Sequence, residues 1–90
     1  MDVPAVRSFV TIEVRVALKP GVLDAEAENV EKSLALLGIE PAPHVRTARI
    51  FELRFEGVSA ETAESRAREA VERLLANPVV HQVSLRRLTP

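Results

Sequence analysis

The chain has 90 residues, 47% of them hydrophobic, and 13 acidic side chains against 12 basic ones give a formal net charge of -1. That length makes one domain and excludes two, the apolar fraction excludes intrinsic disorder, and the balanced charge excludes an electrostatic footprint for nucleic acid or an anionic membrane. With no cysteine there is no disulfide, thiolate metal site or cysteine nucleophile.

The chain reads as a single domain over residues 1–90, residues 1–7 being a short N-terminal extension without the apolar region of a signal peptide. Residues 8–18 alternate, with Val10, Ile12, Val14, Val16 and Leu18 against Phe9, Thr11, Glu13, Arg15 and Ala17, which predicts a half-buried strand. Lys19, Pro20 and Gly21 end it, because proline lacks a ladder donor and glycine accepts positive φ. Asp24 is placed to cap a helix, with Glu26 and Glu28 in its positive first turns and Ala27, Val30, Leu34 and Leu37 spaced by three and four. Gly38 closes that helix.

Pro41 and Pro43 make residues 40–43 an extended linker, which leads into a long strand over residues 44–56. Val45, Phe51, Leu53 and Phe55 share one face of it and Arg46, Ala48, Glu52 and Arg54 the other, with Ile50 among the polar set. Gly57 punctuates and Ser59 caps. Ala60, Ala63, Ala67, Ala70, Val71, Leu74 and Leu75 then draw a helical apolar stripe down to Ala76, and its alanines are small enough for close approach to a sheet. Asn77 and Pro78 stop this helix, and residues 79–88 form a last strand with Val83 and Leu85 on one face.

The order β-α-β-α-β predicts an α+β domain, a two-layer sandwich with two helices packed on one face of a small, largely antiparallel sheet. A bend in the long middle strand near Thr47 and Ala48 would convert it to the split pattern of ferredoxin-like folds. Thirteen extended residues span roughly 43 Å at about 3.3 Å each, whereas a domain of this size has a radius of gyration of about 12 Å and a diameter of roughly 30 Å. The strand must bend or overhang, and with open sheet edges this points to a homo-oligomer.

Little in the sequence carries chemistry. His44 and His81 lie at the starts of two strands, with no HxH or HxxxH spacing for a metal. No serine stands in GxSxG, and Gly21, Gly38 and Gly57 are isolated at element boundaries, so no phosphate-cradling loop forms. Glu64 with Arg68 and Glu69 with Arg73 are i,i+4 pairs on a solvated helix face. Arg15, Arg46, Arg49 and Arg54 suit bidentate partners at an interface, or cross-strand pairing with Glu13 and Glu52. No catalytic, cofactor or metal residue is assigned.

Leu18-Lys19-Pro20-Gly21-Val22-Leu23-Asp24 resembles the LKxGVLDPxG turn of the PurS family, the small subunit of phosphoribosylformylglycinamidine (FGAM) synthase, and Leu74-Leu75-Ala76-Asn77-Pro78-Val79-Val80 resembles its LLANPVI segment. Leu34 to Gly38 is similar to its LxxLG helix end, and Val45-Arg46 with Phe51-Glu52-Leu53 to its VRxGKxxEL strand. Ala48-Arg49 stands where the family has Gly-Lys, Ala25 where it has proline, and Ala27 where it has glycine. The resemblance implies a non-catalytic subunit in cytoplasmic de novo purine synthesis. There a small synthetase subunit uses ATP and Mg, a glutaminase subunit releases ammonia, and this homo-oligomer, a dimer or tetramer, holds them together. On that reading Lys19, Arg46, Arg49 and Asn77 are the candidate partner contacts.

Two other classes fit the same residues. One is a regulatory module of ferredoxin-like shape that binds a small molecule; the other is an independent enzyme using Glu52 or Glu56 with His44 as acid and base.

Overall fold

The alternating first segment forms β1 (Phe9–Leu18) and sits in the middle of a three-stranded antiparallel sheet, with β2 (Ala48–Glu56) on one side and β3 (His81–Leu88) on the other. The computed structural model describes residues 8–88; the extension read over residues 1–7 lies outside them. Ile12, Val14 and Val16 oppose Leu53, Phe51 and Arg49 on β2, while Val14 and Val16 oppose Leu85 and Val83 on β3. One face of the sheet is thereby apolar, and Ile12 and Val14 are fully buried on it, each contributing about 1.5–3 kcal/mol of burial.

Two helices complete the described residues, α1 (Ala25–Leu36) and α2 (Ala60–Ala70), in the order read from the sequence. Asp24 caps α1 by accepting the Ala27 amide at 2.9 Å, and Ser59 caps α2 by accepting the Thr62 amide at 3.1 Å. Past α1, the Ile39 amide reaches the Leu34 carbonyl and the Gly38 amide the Ala35 carbonyl, with Gly38 at φ 79°. This double closure needs the left-handed residue that glycine provides. α2 lies on the apolar face, where Ala63 and Ala67 are buried against Ile12, Val14 and Val16. It continues through one π turn, Val71–Leu75, in which the Ala76 amide donates to the Val71 carbonyl at 3.2 Å. Glu69 takes Arg73 at 2.9 Å and Arg66 at 3.5 Å, and no Glu64–Arg68 pair forms among the described residues.

Two expectations are corrected. Only α2 packs on the sheet; α1 makes little contact with any other element, and of its stripe only Ala27 is buried while Val30 and Leu37 are exposed. The chain is accordingly extended, with a radius of gyration of 18.4 Å and dimensions of 64 × 31 × 15 Å. The middle strand is also shorter than read, beginning at Ala48 where the pairing with Ala17 starts. β1 ends at Leu18, before the Pro20–Gly21 turn, so residues 44–46 lie beyond the strand, while the amide of Thr47, which falls opposite Leu18, is taken by Asp24.

Candidate interaction site at one end of the sheet

The end of β1 and the starts of β2 and β3 lie at the same end of the antiparallel sheet, so three distant stretches of sequence meet there. Lys19 follows β1 and its amide donates to the Val80 carbonyl at 2.8 Å. Arg46 precedes β2 and its guanidinium donates to the Leu18 carbonyl at 3.3 Å. Arg49 stands opposite Val16, which places it on the face that α2 covers. All three side chains are exposed.

Asn77 organises the turn into β3. Its Oδ1 accepts the Val79 amide at 2.9 Å, its carbonyl accepts the Val80 and His81 amides at 3.1 and 2.8 Å, and its own amide donates to His81 Nδ1 at 2.8 Å. With Nδ1 accepting, neutral His81 carries its proton on Nε2. The four candidates from three segments are thus brought to one end, and one of them, Arg49, lines an open groove of about 630 Å³ with Val16, Glu26, Thr47, Leu75 and His81. Lys19 and His81 also border a more apolar neighbouring hollow with Val71, Pro78 and Val83.

Sequence reasoning missed His81 as part of this site; the four-residue spacing from Asn77 was the available signal. It also missed a second use of Asp24. While Oδ1 caps α1, Oδ2 accepts the Thr47 amide at 3.0 Å and the Thr47 hydroxyl at 2.8 Å. These bonds, first Ala27 and then Thr47, hold the Asp24 carboxyl below its ordinary value of 3.8, with Arg46 adding to the effect. Two turns further along α1, Glu31 Oε1 accepts the Val45 amide at 2.9 Å and lies 3.4 Å from His44 Nδ1.

The other arginines do not pair with Glu13 and Glu52 as the sequence suggested. Glu13 takes Arg86 at 3.2 Å, and Arg54 lies 3.7 Å from the centroid of the Phe9 ring. Nor does an acid–base set form from His44, Glu52 and Glu56. His44 sits against Glu31 ahead of β2, whereas Glu56 ends that strand, roughly 26 Å beyond Ala48 at about 3.3 Å per residue. Among the described residues no polar or charged side chain is buried and no three potential metal ligands are gathered. No helix among them is long and apolar enough to cross a membrane.

Residues 11–88 match the family model described as PurS: Phosphoribosylformylglycinamidine (FGAM) synthase. The chain belongs to the PurS family. It is 41% identical over 73 residues to the phosphoribosylformylglycinamidine synthase subunit PurS of Archaeoglobus fulgidus, covering 81% of this chain and 91% of that one. The crystal structure of the PurS subunit from Thermotoga maritima superposes with a TM-score of 0.82 at 27% identity, over 94% of this chain and 98% of that one. A chain in the structure of PurLQS from Thermotoga maritima superposes with a TM-score of 0.81 at 27% identity, over 90% and 99%. Where Ala48 replaces the glycine of the PurS pattern, the backbone is ordinary strand paired with Ala17, and no non-glycine residue among those described has positive φ.

Proposed function

We propose that this chain is the PurS subunit of a cytoplasmic, multi-subunit FGAM synthase, a homo-oligomer that bridges a synthetase subunit and a glutaminase subunit without supplying catalytic residues. The observation that carries this reading is the match along nearly the whole chain to a chain in a PurLQS structure. The single-domain reading over residues 1–90 goes with it. So does the surface: an outlying helix with exposed Val30, Leu36 and Leu37, and a sheet end bearing Lys19, Arg46, Arg49 and Asn77, suit contact with other chains better than turnover.

Docking a glutaminase beside a synthetase raises the effective ammonia concentration at the acceptor and limits its escape to solvent. Lys19, Arg46 and Arg49 are the contact residues, while Asn77 acts through the turn it organises. ATP and Mg belong with the synthetase. In this chain Asp24 and Glu31 are already engaged by backbone amides and Glu26 is the one carboxylate lining the groove, a set that does not suit a metal–nucleotide complex.

The test is glutamine-dependent FGAM formation by the synthetase and glutaminase of the same organism, with and without this chain, beside an ammonia-driven control. Dependence on this chain with glutamine, and less dependence with ammonia, supports the bridging role. Identical rates and complex sizes with and without it overturn that role and leave the small-molecule-binding module in its place.

A further inference from the structure

The stretch between α1 and β2 is held in an unusual way. Residues 44–47 run beside α1, and the amides of Val45 and Thr47, alternate positions of an extended segment, donate to carboxylates on α1 and its cap instead of to a neighbouring strand. Glu31 and Asp24 are seven residues apart, two helical turns, so their carboxyls fall on one line along the helix. The amides of residues 45 and 47 meet them at 2.9 and 3.0 Å. Asp24 is the junction of this arrangement. One oxygen caps α1 and the other takes both polar groups of Thr47, the last residue before β2.

Because α1 makes little contact with the sheet, side-chain packing does not set its direction. We propose that Asp24 is a positioning residue: its carboxylate latches the start of α1 to the start of β2 and fixes the direction in which the helix projects. Glu31 is the second, outer catch, holding residue 45 against the helix. The latch determines where exposed Leu36, Leu37 and Ile39, at the far end of α1, are presented. Packing alone would not do this, since Ala27 is the one buried residue of α1. The inference concerns the isolated chain and stands whether or not the chain bridges synthetase and glutaminase.

The chain has no cysteine, so spin labels on introduced cysteines at Lys32, on α1, and Ser84, on β3, report one distance, read in protein diluted with unlabelled chain. The native protein should give one narrow distribution. Asp24→Asn keeps the cap acceptor and the shape but turns a donor toward the Thr47 amide. Asp24→Ser keeps the cap and cannot also reach Thr47. Both should broaden the distribution and raise amide exchange at Thr47 by at least about tenfold, with α1 helicity retained. Thr47→Val, which removes the hydroxyl and leaves the amide, should broaden it less and serves if the Asp24 variants fold poorly. An unchanged distribution in all three variants overturns the latch. So does a loss of helicity that accounts for the broadening, since Asp24 would then act as a cap alone.

Discussion

Arg49 stands directly opposite Val16 in the β1–β2 register, on the face that α2 covers, yet its side chain is exposed beside the groove that Leu75 and His81 also line. The apolar face therefore ends in a cation at the open end of the sheet. Such a position suits a carboxylate or carbonyl brought by another chain. Arg49→Ala should change stability by no more than about 0.5 kcal/mol and lower glutamine-dependent turnover more than ammonia-driven turnover. Arg46→Ala should act in the same direction. Unchanged assembly and coupling in the double variant would remove both from the contact surface.

The closeness of α2 to the sheet rests on Ala63 and Ala67 meeting Ile12, Val14 and Val16. Ile12→Ala should cost about 2–5 kcal/mol, the loss of a fully buried side chain plus the cavity it leaves. Ala67→Leu should cost about 1–3 kcal/mol by forcing the helix outward. Urea unfolding followed by circular dichroism measures both, and a neutral Ala67→Leu would mean that the helix can shift freely.

Glu13 and Glu52 are direct cross-strand partners, and among the described residues only Glu13 has a cation, Arg86, at 3.2 Å. Like charges in that register are unfavourable. Glu52→Arg should stabilise the protein by up to about 1 kcal/mol, and the gain should shrink as salt screens the exposed pair. A loss of stability at low ionic strength would contradict this.

Asp24 gives acid stability a definite sign. Its carboxyl titrates lower in the folded chain than the ordinary 3.8, through the Ala27 and Thr47 hydrogen bonds. Its contribution is therefore fully present above 3.8 and is lost as pH falls from there through the lower folded value. Thermal melts of the native protein and Asp24→Asn should differ by a constant amount at neutral and mildly acid pH, with the difference shrinking in that acid window. A difference that grows on acidification would mean that the carboxyl is not held by these bonds.

Leu36 and Leu37 are 89% and 76% exposed at the end of α1, beyond what a solitary helix end needs. Leu36→Ser with Leu37→Ser should reduce self-association, read as molar mass by light scattering, while circular dichroism remains that of the folded chain. A native protein that scatters as a single chain at micromolar concentration would count against the homo-oligomer.

The sequence by itself determined what depends on local period and backbone chemistry. Alternation from Phe9 to Leu18 set the strand and its buried face. Asp24, Ser59 and Gly38 marked helix ends through hydrogen bonds within a few residues, and Ala63 and Ala67 marked a helix able to lie close on a sheet. The turn and strand motifs around Lys19, Arg46 and Asn77 were legible as a family pattern. Tertiary structure decided the rest, because a periodic pattern shows that a face is apolar without showing what covers it. The stripe of α1 reads as core and stands exposed, since the sheet face it could have covered is occupied by α2 and its π turn. Residues 44–47 read as strand, but a ladder extends only as far as its partner: residues 44–46 lie past the end of β1 at Leu18, and Thr47, opposite Leu18, gives its amide to Asp24. Their amides went to Asp24 and Glu31 instead, and His81 joined the site only because the antiparallel register brings the start of β3 beside the end of β1.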